Sequence, residues 1–313
     1  MQTTRRKNIL YILIGSSFWA VSGSFAQYLF ITQHISAGFL VSIRLTLAGI
    51  CMIFYQWIKR KNAVFSIFKN KHDRRDIFIF SIFGMLCCQF SYFRAIQFSN
   101  VATATVLQYL GPAFILFYTL LRYKEKPSIR EIIALFCAVG GVFVLSTHLK
   151  LYTLVLTKEA LFWGIASGIS LAIYTLQPKR LLSRYDTILV VGWGMLLSGI
   201  LLCVIIKPFS IPVKMNFSLF LSLFIIVVFG TIISFSLYLE GIQVVGAKQG
   251  SLFSATEPLM ATLISVVFLH TTMTFIDIFG FILIVSTVFI LSKNEPHKVN
   301  IFDSIRHDIK KLQ

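Results

Sequence analysis

Long apolar runs dominate this chain and restrict it to folds in which a lipid bilayer replaces water as the solvent. Hydrophobic residues make up 57% of the sequence, charged residues only 13%, and the mean hydropathy is +0.80. A helix needs about 20 residues to cross the roughly 30 Å apolar core of a bilayer. The runs between charged clusters have that length, and they predict ten spans: 9–31, 36–58, 76–98, 101–121, 129–148, 159–181, 188–207, 218–240, 247–269 and 275–292.

The apolar runs are continuous rather than alternating, which argues against the strands of an outer-membrane barrel. Several connections between spans, such as 98–100 and 270–274, are only a few residues long. They leave no room for a separate soluble catalytic domain. The predicted fold class is therefore an all-α membrane protein whose single membrane domain performs the function.

An internal duplication runs through the apolar segments, because residues 92–146 align without gaps with 238–292 at a constant offset of 146. The most informative matches are residue types that lipid-facing packing does not require: Tyr92 with Tyr238, Gln97 with Gln243 and Pro112 with Pro258. Duplicated hydrophobic units are typical of secondary transporters, which bind substrate between the two repeats.

The duplication divides the chain into a first repeat at 1–148, a second repeat at 159–292 and a basic tail at 293–313. Each repeat holds five predicted helices. Because five is odd, the second repeat enters the membrane from the side opposite to the first, so we expect two inverted five-helix repeats.

The formal net charge of +17 is distributed by topology rather than by nucleic-acid binding. Most of the 29 Lys and Arg residues lie on one side of the predicted membrane, in the N-terminal segment, the 59–75 loop, later loops of the same side and the tail. Such an excess marks the cytoplasmic side. We therefore expect both termini in the cytoplasm and no nucleic-acid partner.

Two charged residues lie deep inside predicted spans, where a charge costs about 2.5–3.5 kcal/mol on insertion scales. Glu257 stands directly before Pro258 in the ninth helix, a combination typical of sites for cations, protons or amines. A protonated packing residue is the alternative. Arg44 in the second helix is a candidate to neutralise Glu257, to bind an anionic substrate group, or to anchor the helix at the membrane surface.

Uncharged polar and aromatic side chains accompany these charges at similar depth. Any one of them alone is more often an interhelical hydrogen bond than a ligand contact, but as a set they predict a polar pathway. The candidate substrate residues, besides Arg44 and Glu257, are Trp19, Ser22, Gln89, Tyr92, Gln108, Tyr109, Tyr174 and Ser254. Pro112 and Pro258 are the candidate gating positions, where we expect the fourth and ninth helices to be loosened.

Neither a metal-binding nor a cofactor motif is present, and the five cysteines all fall within predicted spans. Catalysis inside the membrane is the competing class of function. Ser170 would need a base within hydrogen-bond reach, yet His148 and His270 lie at the rims of their spans. A lipid-handling or sensor protein without transport turnover is the third alternative.

Arg44, the run 102–108, Pro112 and the pair Glu257-Pro258 together resemble the EamA branch of the drug/metabolite transporter superfamily, across residues 9 to 292. The resemblance implies export, occasionally import, of metabolites such as amino acids. Many members carry an acidic residue after the fourth and ninth helices. Glu125 fits the first position, whereas the second repeat reads His270-Thr271-Thr272 and has no acid there.

The sequence thus predicts a secondary transporter, and more specifically an exporter, of small metabolites across the bacterial cytoplasmic membrane by alternating access. The expected partners are a small-molecule substrate, the lipid bilayer, and a proton or another ion as a candidate coupling partner. No cofactor is expected.

Overall fold

The computed structural model describes residues 2–123, 127–149, 155–210, 213, 216–245 and 253–292. Throughout these residues the regular structure is helical and contains no strand, which confirms the all-α fold class for the described chain. The predicted basic tail at 293–313 and Glu125 lie outside the described residues.

In the part of the chain that the structure describes, ten helices follow the order of the predicted spans. In α3 and α8 the middle part is π-helical, and these parts are called the α3 π-segment and the α8 π-segment. The bounds are α1 Gln2–Thr32, α2 Ala37–Arg60, α3 Lys71–Ile79 with Phe80–Leu86 (π) and Cys87–Phe98, α4 Val101–Gln108 with Gly111–Tyr123, α5 Ile129–Thr147, α6 Lys158–Leu176 with Lys179–Leu182, α7 Thr187–Ile206, α8 Phe217–Phe224 with Ile225–Ile233 (π) and Ser234–Val245, α9 Thr256–Val267 and α10 Phe275–Ser292, with short 3-10 helices at Lys61–Phe68 and Pro208–Ser210.

Eight helices, α1 to α8, are long and apolar enough to cross a membrane. The described parts of α9 and α10 are apolar but shorter. Ten spans were predicted from hydrophobicity, and the structure confirms eight by length. In the predicted ninth span, 247–269, residues 247–252 lie outside the described residues. Phe253 and Ser254 are helical, a turn follows at Ala255, and the continuous helix α9 begins at Thr256.

Several helix starts recur 146 residues apart, which extends the sequence repeat toward its N-terminal side. Asn70 begins α3 and Asn216 begins α8, and each side-chain oxygen accepts hydrogen bonds from backbone N–H groups of the first turn. Reciprocal capping boxes begin α5 and α10, formed by Ser128 with Glu131 and by Thr274 with Asp277.

The two π-segments also occupy equivalent positions, and each contains a glycine of a pair 146 residues apart, Gly84 and Gly230. A Cβ on Gly230 would lie 2.2 Å from Ser22 Cβ of α1. A Cβ on Gly84 would lie 3.4 Å from Tyr174 Cα of α6. The glycines therefore let α1 and α6 pass directly against the π-segment of the opposite repeat. Since π-turns are rare and concentrate at functional sites, their duplication is informative.

Helix breaks form a third equivalent pair. Helix α4 is interrupted at Tyr109 and Leu110, and the turn at Ala255 stands 146 residues after Tyr109. Pro112 and Pro258 follow these breaks and lie in the first turn of the next helical segment, where a missing N–H group removes no helical hydrogen bond. The sequence predicted that α4 and α9 are loosened at the prolines themselves. The structure instead places each helix break before the proline, and the proline lies in the first turn of the helical segment that follows.

The helices of the first repeat pack mainly against helices of the second repeat. Helix α1 packs against α8 and α9, and α6 packs in the same way against α3 and α4. Helices α2 and α7 pack on each other, as do α5 and α10. Each helix of the first repeat therefore meets its partners across the boundary between the repeats, where the largest buried cluster lies.

Helices α2 and α7 cross where small residues permit close approach. A Cβ on Gly49 would lie 2.5 Å from the Leu196 backbone, and one on Gly199 would lie 2.5 Å from the Thr46 backbone. The lower-numbered end of each helix meets the higher-numbered end of the other. These two equivalent helices consequently run in opposite directions.

Candidate functional site

Arg44 of α2 and Glu257 of α9 lie near the boundary between the repeats, close enough for their charges to interact. Their side chains are almost completely removed from solvent, with 4% and 8% of each residue exposed. They are not among the ion pairs formed by the described residues, so their charged atoms do not touch. A basic and an acidic side chain are thus held near each other without direct contact.

The α8 π-segment holds the guanidinium of Arg44. Its Nε donates to Thr231 Oγ1 at 2.8 Å, and its Nη2 donates to the Gly230 carbonyl oxygen at 3.2 Å. Thr231 Oγ1 in turn donates to the Ile226 carbonyl oxygen at 2.9 Å. The guanidinium carbon lies 4.8 Å from the centre of the Phe93 ring, a cation–π distance. These contacts explain how a charge is tolerated at this depth.

Glu257 lies in the first turn of α9, directly after the turn at Ala255. A helix N-terminus carries partial positive charge, which favours a carboxylate at this position. Tyr109, from the break in α4, lies beside Glu257 and donates a hydrogen bond to the Ser254 carbonyl oxygen at 2.6 Å. The two helix breaks are therefore joined to each other next to the acidic side chain.

Other candidate side chains surround this pair and are partly satisfied within the protein. The hydroxyls of Tyr92 and Thr105 are hydrogen-bonded at 2.8 Å, which links α3 to α4. Gln108 Nε2 donates to Cys88 Sγ at 3.6 Å. Tyr92 and Cys88 both lie within electrostatic range of Arg44 and Glu257. Tyr92 therefore lies close to the charged pair, and Gln108 is joined to it through Cys88.

Among the described residues, Trp19 Nε1 and Ser22 Oγ of α1 are buried near the charged pair without a hydrogen-bond partner. The Trp19 ring packs on Phe235 and Tyr238 of α8, with ring centres 5.1 and 5.0 Å away. Ser22 packs against Gly230, whose carbonyl oxygen binds Arg44. Buried donors are almost always paired in proteins, so these two donors keep Trp19 and Ser22 among the candidate ligand-binding residues.

Tyr174 and Gln89 are less directly connected to the charged pair than the other candidate residues are. Tyr174 packs on Phe80, with ring centres 5.4 Å apart, and lies within electrostatic range of Cys88 and Tyr238. It occupies on α6 the place that Ser22 occupies on α1, against the glycine of a π-segment. Gln89 is partly buried and makes no hydrogen bond to the described residues, so it is not joined to the cluster.

Sequence reasoning missed three contributors to the site: Phe93, Gly230 and Thr231. Gly230 carried a usable signal, since Gly84 and Gly230 match at the offset of the repeat. Thr231 and Phe93 carried none, because their role depends on which helices meet. Among the described residues there is no group of His, Cys, Asp and Glu side chains that could hold a metal ion.

One end of the helix bundle is closed by charged side chains. Asp73, at the start of α3, is only 1% exposed and accepts hydrogen bonds from Arg180 at 3.0 Å, Arg184 at 3.4 Å and the Tyr185 hydroxyl at 3.0 Å. Arg180 also contacts Asp76 at 3.0 Å. Burial, together with the hydrogen bond to Asp73, raises the pKa of the Tyr185 phenol. We call these five residues the ionic latch.

The equivalent place at the other end, between α1 and α8, is closed by neutral groups. The hydroxyls of Tyr28 and Ser218 lie 3.2 Å apart, and Asn216 Nδ2 donates to Gln33 Oε1 at 3.2 Å. We call these four residues the neutral latch. The two ends of the bundle are thus held by different chemistry, ion pairs at one end and neutral hydrogen bonds at the other.

Known proteins resemble the chain over nearly its whole length. The model of the EamA-like transporter family matches twice, at residues 6–147 and 158–293. An uncharacterized inner membrane transporter of Salmonella typhimurium, YicL, is 38% identical over 287 residues, which are 92% of this chain and 95% of that protein. An uncharacterized transporter of Bacillus subtilis, YwfM, is 25% identical over 83% of this chain and 85% of its own.

One solved crystal structure has the same fold, with a TM-score of 0.61 and 18% sequence identity over 92% of this chain and 96% of its own. The double family match and the long similarity to YicL together agree with the duplicated architecture. They indicate a membrane transporter rather than an enzyme. The chain belongs to the EamA-like transporter family.

Proposed function

We propose that this protein is a secondary transporter that exports small zwitterionic metabolites, such as amino acids, across the bacterial cytoplasmic membrane by alternating access. The observation that carries the proposal is the buried and separated pair Arg44 and Glu257. One residue comes from each repeat, so the substrate would be bound by both halves at once. Relative movement of the halves would then carry the site from one side to the other.

The chemistry of the pair favours a zwitterion. The Arg44 guanidinium suits a carboxylate, since its planar donors match two oxygens. Glu257 suits an ammonium group, or a proton when the substrate is absent. Trp19 Nε1 and Ser22 Oγ offer two further donors at the side of the pair. The aromatic rings of Trp19, Tyr92 and Tyr174 suit an apolar or flat side chain.

Inverted repeats and ten membrane crossings are part of the proposal. The antiparallel packing of α2 on α7 supports inversion, because these helices hold equivalent places in the two repeats. The excess of Lys and Arg in the 59–75 loop and in the N-terminal segment supports cytoplasmic termini. In this orientation the ionic latch faces the cytoplasm and the neutral latch faces outward. Export is favoured by the family resemblance.

The π-segments supply a physical route for the movement. Each sits halfway along a helix that packs against α1 or α6, and each carries a glycine at the point of closest approach. A π-turn that converts to an α-turn rotates and lengthens its helix locally, because the α-turn has fewer residues and a larger rise per residue. We infer that the two segments act as reciprocal hinges, one opening its end while the other closes.

The decisive experiment measures uptake of radiolabelled amino acids into proteoliposomes against a pH gradient. Glu257→Gln keeps the shape of the side chain and removes its titration, and we expect it to abolish the pH dependence of flux. Glu240→Gln is the matched control, because Glu240 is exposed on α8. Wild-type protein with no flux of any α-amino acid, amine or carboxylate would contradict the proposal. Unchanged pH-dependent flux in Glu257→Gln would leave Glu257 a packing residue.

A further inference from the structure

A recess of about 500 Å³ opens at the start of α3, away from the charged pair. It is lined by Lys71, His72, Arg74, Arg75 and Phe78, and all five side chains are exposed. Cationic groups thus surround a cavity large enough for a phosphate-sized group, with an aromatic ring at one edge.

The positive charge in the recess is not neutralised by the nearby acids. Asp73 and Asp76 point toward α6, where they bind Arg180. Arg75 reaches Asp76 at 3.5 Å, although its side chain remains 66% exposed. Lys71 and Arg74 belong to none of the ion pairs that the described residues form. Two full positive charges are therefore available to a ligand.

Exposed apolar side chains continue from the recess along the same face of α3. Lys71, Arg74 and Phe78 are spaced by three and four residues, which places them on one side of an α-helix. The α3 π-segment begins at Phe80, and Phe83 within it follows Phe78 by five residues, about one π-helical turn. Phe78 is 45% exposed and Phe83 is 54% exposed. The face thus changes from cationic to aromatic in the direction in which α3 enters the membrane.

The second repeat provides an internal comparison, since α8 begins with the same Asn cap and contains the same π-segment. At the repeat offset, the basic residues of the recess correspond to apolar ones: Lys71 to Phe217, Arg74 to Phe220 and Arg75 to Leu221. These three are exposed as well, at 77%, 69% and 41%. The cations are consequently not required to start or to pack this helix.

We propose that the recess binds the phosphate of an anionic phospholipid, with an acyl chain lying along Phe78 and Phe83. The lipid belongs to the cytoplasmic leaflet in the orientation proposed above, and its binding is independent of the transported substrate. The phosphate is held by Lys71 and Arg74, with Arg75 and His72 at the rim. Each cation near an anionic surface adds about 1 kcal/mol of binding, which is roughly fivefold in affinity.

The test is a native mass spectrometry titration of the detergent-purified protein with phosphatidylglycerol and phosphatidylcholine. Wild-type protein should bind phosphatidylglycerol with at least about fivefold preference. The double variant Lys71→Gln/Arg74→Gln should lose that preference. The control is Lys158→Gln/Lys207→Gln, which removes two exposed cations elsewhere. Equal loss in both double variants, or equal wild-type binding of the two lipids, would overturn the proposal.

Two additional arms separate a lipid from a free anion. Phe78→Ala should weaken phosphatidylglycerol binding and leave the binding of inorganic phosphate unchanged. Inorganic phosphate at millimolar concentration should compete only weakly with the lipid in wild-type protein. Full competition by phosphate, with no effect of Phe78→Ala, would show a soluble-anion site and refute the lipid. Since the lipid preference is measured on wild-type protein, a variant that fails to fold leaves that comparison intact.

Discussion

The α3 and α8 helices share the same backbone plan but present different side chains at both of their key positions. Each begins at an Asn cap, and each contains a π-segment with a glycine against the helix that crosses it. At its start, however, α3 carries the acids of the ionic latch, whereas α8 takes part in the neutral latch. The two helices therefore share their caps and π-segments, while the side chains at their starts differ in charge.

The same contrast holds where α2 and α7 meet the π-segments. Equivalent positions in these two helices are 150 residues apart, as the crossing at Gly49 and Gly199 shows, so Arg44 corresponds to Gly194. Arg44 binds the α8 π-segment, whereas Gly194 leaves room for the Phe80 ring of the α3 π-segment. The cation is therefore present in one half only, which makes the site asymmetric inside a nearly symmetric framework.

The largest effect should follow from removing that asymmetry at Arg44. Arg44→Gln removes the charge that would hold a substrate carboxylate, and a hydrogen bond to a charged group contributes about 1.5–3 kcal/mol. We expect substrate affinity to fall roughly 10- to 100-fold, measured as the concentration for half-maximal flux in proteoliposomes. Arg130→Gln, outside the site at the start of α5, is the control. Flux parameters equal to those of wild-type protein would show that Arg44 only holds the π-segment.

The second effect concerns the unequal closures. Asp73→Asn removes the buried negative charge that pairs with Arg180 and Arg184. We expect it to lower the free energy of unfolding by about 2–4 kcal/mol, a value kept moderate because both arginines have partial access to solvent. Ser218→Ala, in the neutral latch, should cost less than about 1 kcal/mol. Chemical unfolding in detergent measures both values. Equal costs would remove the proposed difference in strength between the two latches.

A smaller effect tests the close contact at the α8 π-segment. Gly230→Ala places a Cβ where Ser22 stands, and overpacking of this kind costs about 1–3 kcal/mol. Ser22→Gly should restore part of this loss in the double variant. Gly140→Ala is the control, because nothing lies within 4 Å of its Cβ position, and it should be neutral or slightly stabilising. Thermal unfolding midpoints that show no rescue would place the cost elsewhere.

The smallest effect comes from Tyr185. Its pKa is raised above the ordinary value of 10 because the phenol is partly buried and donates to Asp73. The protonated form is therefore the stabilising one. Its contribution, below about 1 kcal/mol, is fully present under pH 10 and is lost as the pH rises through the folded pKa. The difference in unfolding midpoint between wild type and Tyr185→Phe should shrink above pH 10. The control Tyr118→Phe, which changes an exposed tyrosine, should have the same unfolding midpoint as wild type across this pH range.

The candidate site was predictable as a set of residues but not as a set of contacts. Arg44 and Glu257 were identified because a charge inside an apolar run needs a local reason. The contacts that place these two residues were not predicted, because they depend on the π-segment that turns the Gly230 carbonyl and the Thr231 hydroxyl toward α2. Gln89 shared the polarity and depth of the other candidates and still lies outside the hydrogen-bonded cluster.

The sequence by itself determined the helical class, most of the helix positions, the duplication and the uneven distribution of charge. Lipid solvation acts on each segment separately, so hydrophobicity and charge along the chain are sufficient to define these features. Tertiary structure decided the π-segments, the placement of the breaks before Pro112 and Pro258, and the partners of Asp73 and Arg44. Those features depend on which helices approach each other. Contacts between side chains more than 100 residues apart in the sequence form only when the helices pack.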